Sequence, residues 1–197
     1  MTDFNHILDI YNQYKSTIQN EAQTKQYIVA PILSVLEYNV NSPAQVISEF
    51  TADVAGKKGE KIDYAIKKDN KIIMLIECKH HTSNLDRKDR EQLERYFNCR
   101  KEVDFAKFAI LTNGIIWKFY SDSIRSDVLD QEPFFIFNLT DPSTYNRMLD
   151  FSQSRFDIEK MCAHAKMRNI IESINQNFFD KLFSFSKESS IEEARNI

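Results

Sequence analysis

Glycine is scarce in this chain of 197 residues, numbering only 3, and proline adds 4. A sequence so poor in both contains no long flexible linker, and no low-complexity tract or internal repeat interrupts it. Gly56, Gly59 and Gly114 do not form a GxxxxGK[ST] phosphate loop, which excludes a P-loop motor. Cysteine is equally sparse. Cys78, Cys99 and Cys162 are odd in number and widely spaced, which gives neither a disulfide framework nor a CxxC zinc pattern. The simple inference is a reducing, cytoplasmic setting. Long apolar runs are missing too: Ile28–Leu36 and Ile72–Ile76 are far too short to span a bilayer, and MTDFNHILDIYNQYK is too polar for a signal peptide. No membrane partner is expected. Nor is there a basic excess, since the formal net charge is −3. That total neither supports nor excludes a polyanionic ligand, because a carboxylate-lined site is itself acidic.

What remains is the composition of a folded domain, 42% hydrophobic and 28% charged. Its length suffices for one sizeable core, or a core with a helical appendage. From about Phe4 to Glu37 the pattern is helical, with Ile28, Ile32, Val35 and Leu36 on one buried face. Pro31 falls inside that pattern and demands a kink or a break. Asn39 to Pro43 then stops it. Strand-like segments follow at Gln45–Val54, Lys61–Lys67 and Lys71–Lys79, with turns at Gly56–Gly59 and Asp69-Asn70. Ile72–Ile76 is continuously apolar, as suits a central strand buried on both faces. A charged helix over Asp86–Glu102 presents Leu93 and Phe97 inward, and Tyr96 is a weaker candidate for that side. Phe105–Leu111 and Ile115–Tyr120 flank Thr112-Asn113-Gly114, a strong hairpin signal. After a short strand at Phe134–Phe137, the chain reads as helical from Asp141-Pro142 onward, with Ile171, Ile174, Phe178 and Leu182 as an apolar stripe. The order predicts an α/β fold, a mixed central sheet flanked by helices. It divides into a core over residues 1–140 and a C-terminal helical extension over 141–197, packed on that core.

The residues that carry chemistry are Asp63, then Glu77-Cys78-Lys79, then Gln92 and Tyr96. Side chains alternate along a strand, so Glu77 and Lys79 share a face and Cys78 takes the other. Both lie where a buried strand ends, the usual place for functional groups in an open α/β sheet. Asp63, on the preceding strand of a hairpin, can pair beside that end. Two converging carboxylates suit a hard divalent cation such as Mg²⁺. Such an ion acidifies water and stabilises charge on a phosphate, and a lysine two residues on can assist. Gln92 and Tyr96, at i and i+4, share one helix face. The same letters also fit a surface salt bridge between Glu77 and Lys79, with Gln92 solvated and Tyr96 half-buried.

The segments KIDYAIKKDNKIIMLIECK, QLERY and AILTNGIIWKFY together resemble the N-terminal nuclease domain of type I restriction enzyme R subunits. They are also similar to related stand-alone restriction-endonuclease-like proteins. The family carries an Asp, an ExK, a QxxxY helix motif and a TNG hairpin in this order. Upstream, NEAQTKQYIVAPILSVLEYN resembles its opening helix, and Glu21 stands at that helix's acidic position. The resemblance runs from about Glu21 to Tyr120 and more loosely through FFIFNL to Phe183. It implies a PD-(D/E)xK core and Mg²⁺-dependent cleavage of DNA, with Mn²⁺ as a substitute, in defence against foreign DNA. By position it implies Asp63, Glu77 and Glu21 as metal ligands, Lys79 as catalytic lysine, and Gln92 and Tyr96 as a supporting pair. DNA, specificity or motor subunits, and a second copy of the chain are the implied partners. Those R subunits continue into a translocase and this sequence does not, so it is an excised domain or a stand-alone relative. A catalytically inactive binding module derived from the same fold is the competing reading.

Other residues carry weaker signals. Lys57, Lys58 and Lys61 make a basic turn suited to a phosphate backbone, or simply a solvated hairpin tip. Glu49 is evenly balanced between a supporting carboxylate and a surface charge. His80 and His81 follow the lysine and read as metal or phosphate contacts or as loop residues. His6, His164, Trp117 and Tyr120 are assigned to surface or packing.

Overall fold

The computed structural model describes residues 3–51, 61–98 and 106–195, with side chains described through residue 175 and at Phe178. The first helical stretch is not continuous as expected. Helix α1 (Phe4–Tyr14) runs into a 3-10 turn at Lys15–Thr17, and Ile18 is extended. The break has a local cause. The Asn20 side chain accepts from the Gln23 N–H at 2.9 Å and so caps a new helix, α2 (Glu21–Thr24).

From α2 the chain passes through a π turn at Lys25–Val29 into α3 (Ala30–Val35). Pro31 explains the turn. It has no N–H to continue the i→i−4 ladder. The ladder adjusts just before it, with the Ala30 N–H reaching back five residues to the Lys25 carbonyl. Ile28, Ile32 and Leu36 are buried as expected. Helix α3 ends in a Schellman arrangement, Tyr38 N–H to Leu33 O at 2.9 Å and Glu37 N–H to Ser34 O at 3.0 Å. With few glycines available, Glu37 takes the left-handed position at φ 67°.

Among the described residues the sheet has six strands in the order β1-β2-β3-β4-β5-β6. These are β1 (Val46–Thr51), β2 (Lys61–Lys68), β3 (Lys71–Cys78), β4 (Phe108–Thr112), β5 (Ile116–Ser121) and β6 (Phe135–Asn138). All neighbours are antiparallel except β3 and β4, which are parallel and joined through helix α4 (Arg87–Phe97). Asp69 and Asn70 both have positive φ, as a tight β2–β3 turn requires. Strand β3 is buried from Ile73 to Cys78, so the expectation of a central strand holds. Beyond β6 come α5 (Tyr145–Leu149) and α6 (Ile158–Arg195).

Two apolar clusters sandwich the sheet. One joins Met74, Ile76, Cys78, Ile110, Trp117 and Phe119 to the first helices, α5 and the start of α6. The other joins Ala65, Leu75, Ala109 and Leu111 to Leu93, Tyr96 and Phe97 of α4. The stripe expected along the last helix is otherwise placed. Met161 and Ala165 pack on the core, while Ile171, Ile174 and Phe178 are exposed. The side chain of Leu182 lies outside the described residues. Among the described residues no helix is long and apolar enough to cross a membrane.

The Thr112-Asn113-Gly114 turn locks the helical arm against the sheet. Gly114 has φ +85°, and a Cβ there would stand 2.9 Å from Ile28 Cγ2. Gly114→Ala therefore combines left-handed strain with a clash against a buried side chain. We expect a loss on the order of 2 kcal/mol in equilibrium denaturation; an unchanged midpoint would show that the arm is not docked this way.

Candidate active site

The site forms at the C-terminal end of β3, where side-chain alternation sends Glu77 toward α4 and Cys78 into the opposite cluster. Tyr64 is opposite Ile76 in the β2–β3 ladder, so continuing that register by one residue sets Asp63 abreast of Glu77. The Cys78 N–H donates to Asp63 Oδ2 at 2.7 Å, which fixes the aspartate against the strand end. Lys79 is held just beyond β3 by its own N–H, donated to the Thr112 carbonyl at 2.7 Å. Its ammonium reaches Glu77 Oε1 at 2.8 Å and Gln92 Oε1 at 3.0 Å.

The anticipated Glu77–Lys79 contact thus exists, but it is no surface pair. The two side chains are only 4% and 17% exposed. Glu77 Oε2 is buried and has no hydrogen-bond partner. Burial drives the Glu77 carboxyl up to about 7; Lys79 opposes that rise, while the charges of Asp63 and Glu21 add to it. Burial acts to lower Lys79, yet its hydrogen bond to Glu77 and the nearby carboxylate charges outweigh it and hold the ammonium up.

Glu21, the first residue of α2, faces the same cluster. Burial raises its carboxyl, and Asp63 raises it further. No three of His, Cys, Asp and Glu among the described residues converge closely enough to form a metal cage. Glu21 is in electrostatic reach of Asp63 and Glu77.

One participant has no counterpart in the sequence reading. Lys25, the first residue of the π turn, donates to Asp63 Oδ1 at 2.5 Å and lies 4.0 Å from Glu21 Oε1. The only sequence signal was its place four residues after Glu21 on the opening helix. By formal charge, three carboxylates here meet two ammonium groups.

The remaining expected residues divide. Gln92 is the lysine's acceptor rather than a solvated side chain. Tyr96, one turn along α4, is fully buried in the apolar cluster on that face. Lys61 is paired with Glu49 at 2.8 Å on the exposed β1–β2 hairpin, so Glu49 is a surface charge. Lys57 and Lys58 lie outside the described residues. His80 and His81 tie the loop after Lys79 to the helical arm. Their Nε2 atoms lie 3.3 and 3.2 Å from the Ile18 carbonyl, and the His81 N–H donates to Thr24 Oγ1 at 3.1 Å.

Residues 41–127, which contain Asp63, the ECK segment, Gln92, Tyr96 and the TNG turn, match the family model described as type I restriction enzyme R protein N terminus. The fold also matches a chain of the DrdV–DNA complex solved by cryo-electron microscopy. That match has a TM-score of 0.50 and 16% identity, covering 76% of this chain and 13% of that one. Over residues 41–127, under half of the chain, this domain is similar to that restriction-enzyme family. The type IIG restriction endonuclease BpuSI is a looser match, with a TM-score of 0.43 and 19% identity over 68% of this chain and 17% of its own. At these identities the likeness speaks for the fold alone. The domain spans under a fifth of either protein. A search of curated proteins gives no match.

The buried carboxylate of this domain generates a stability signature. A carboxyl whose folded value is raised binds its proton more tightly in the folded state. Its contribution is complete below the unfolded value, 4.5, and is lost as pH rises toward about 7. In EDTA, Glu77→Gln should remove that decline from the pH–stability curve; an identical curve for the variant would place the charge penalty elsewhere.

Proposed function

We propose that this domain is a metal-dependent endonuclease acting on DNA, of the kind that restricts foreign DNA. The observation that carries the reading is the buried Glu77, with one oxygen on Lys79 and the other without a partner, abreast of Asp63. A protein does not leave a carboxylate oxygen dry and unpaired without cost. Such an atom fits a cation that prefers oxygen ligands and keeps several waters, as Mg²⁺ does. Asp63 and Glu77 would hold it, with Glu21 close enough to add charge. When bound, the ion supplies positive charge for a phosphate under attack and lowers the pKa of water.

The chain's own residues do the rest. Gln92 and Glu77 hold the Lys79 ammonium in place, so it meets a phosphate or an attacking water already oriented. Tyr96 packs under α4 and sets the helix position that brings Gln92 to the lysine. That the DrdV match is a complex with DNA supports DNA as the substrate. Sequence choice would then rest with partner subunits or with the rest of a larger protein.

One observation favours a second reading, a binding module that does not cut. Both Asp63 oxygens are already engaged, by Lys25 and by the Cys78 N–H. That reading expects salt-sensitive DNA binding with no cleavage.

The two readings separate on supercoiled and single-stranded DNA with Mg²⁺, Mn²⁺ or EDTA. We expect cleavage only with metal, falling by at least about 100-fold in Lys79→Ala and Glu77→Gln while both stay folded. Full activity in folded Lys79→Ala would rule out this assignment of roles.

A further inference from the structure

The Lys25–Asp63 pair asks for an explanation of its own. Asp63 Oδ2 is committed to the backbone N–H of Cys78, so Oδ1 is its free-facing oxygen. Lys25 occupies that oxygen at 2.5 Å, with side chains only 21% and 12% exposed. Two cations cannot share it comfortably. An ammonium held on Oδ1 would face a divalent ion across a few ångströms of poorly solvated space, where like charges repel strongly.

The surroundings offer Lys25 somewhere to go. Glu21 Oε1, one helical turn back, lies 4.0 Å from its nitrogen and is more exposed. The backbone beneath Lys25 is fixed by the π turn and by the packing of Ile28 and Thr24 on Gly114. A change of partner therefore needs only torsions of the flexible four-carbon stem.

We propose that Lys25 is a built-in counter-cation of the metal site, neutralising Asp63 when no metal is present and leaving it for Glu21 when metal binds. The proposal rests on the reading of Asp63 and Glu77 as metal ligands. It makes the ammonium a competitor that keeps the empty cluster from repelling itself apart and limits metal affinity. A purely structural ion pair makes the opposite prediction, because losing Lys25 would then loosen Asp63 and weaken binding.

The test is calorimetric titration of Mn²⁺ into the wild type, Lys25→Met and Glu77→Gln. The proposal expects Lys25→Met to bind at least about tenfold tighter than wild type, a gain of roughly 1.4 kcal/mol. Equal or weaker binding by folded Lys25→Met overturns it. If wild type binds and Glu77→Gln binds equally well, the metal-ligand reading fails by itself. If neither wild type nor Lys25→Met binds, both fall. A measurement on the unmodified protein guards against misfolding of the variant. Pulse acylation read by mass spectrometry should label Lys25 several-fold faster in saturating Mn²⁺ than in EDTA, with Lys61 unchanged as an internal control. An unaltered Lys25 rate would overturn the proposal equally.

Discussion

Placing Glu77 at the buried end of β3 is the constraint on which the rest of the site depends. A carboxylate buried to this degree is unfavourable unless a cation and hydrogen bonds compensate it. Lys79 provides the cation, and Gln92 fixes Lys79 from α4. That helix is held over the sheet by Leu93, Tyr96 and Phe97. The compensation is incomplete, since Glu77 Oε2 has no partner and the carboxyl is raised to about 7 by burial. Strongly perturbed groups of this kind cluster at functional sites.

The same constraint explains how four separate pieces of chain meet at one place. Strand β2 brings Asp63, β3 brings Glu77, the following loop brings Lys79, and the arm before β1 brings Glu21 and Lys25. The arm is positioned by contacts distant from the carboxylates. Ile28 and Thr24 rest on Gly114, and His80 and His81 reach the Ile18 carbonyl. The TNG turn thus serves the site twice, fixing through Gly114 where the helical arm can lie and holding the Lys79 backbone through the Thr112 carbonyl.

Much of this was legible in the sequence. Five apolar residues followed by Glu-Cys-Lys specify a buried strand that ends in two charged side chains on one face, and β3 with the Glu77–Lys79 pair has that form. Asp69-Asn70 and Asn113-Gly114 mark both turns, since Asp, Asn and Gly tolerate positive φ, and Asp69, Asn70 and Gly114 adopt it. The break at Ile18–Asn20 was less visible, because Asn20 is an ordinary polar residue until its side chain is seen to cap a helix. Lys25 was hidden for a related reason. Its approach to Asp63 depends on a π turn that Pro31 imposes, and helical periodicity carries no trace of it. The stripe on α6 shows the opposite error. Ile171 and Ile174 keep helical spacing, yet the core is already filled by Met161 and Ala165, and they remain exposed.

The central claim is that Asp63 and Glu77 form a cation site, and crystals soaked in Mn²⁺ test it most directly. Anomalous difference density at the manganese edge should show a peak between Glu77 Oε2 and Asp63, with the Lys25 ammonium moved off Oδ1. Manganese bound only elsewhere, with the Lys25–Asp63 contact intact, would contradict the account.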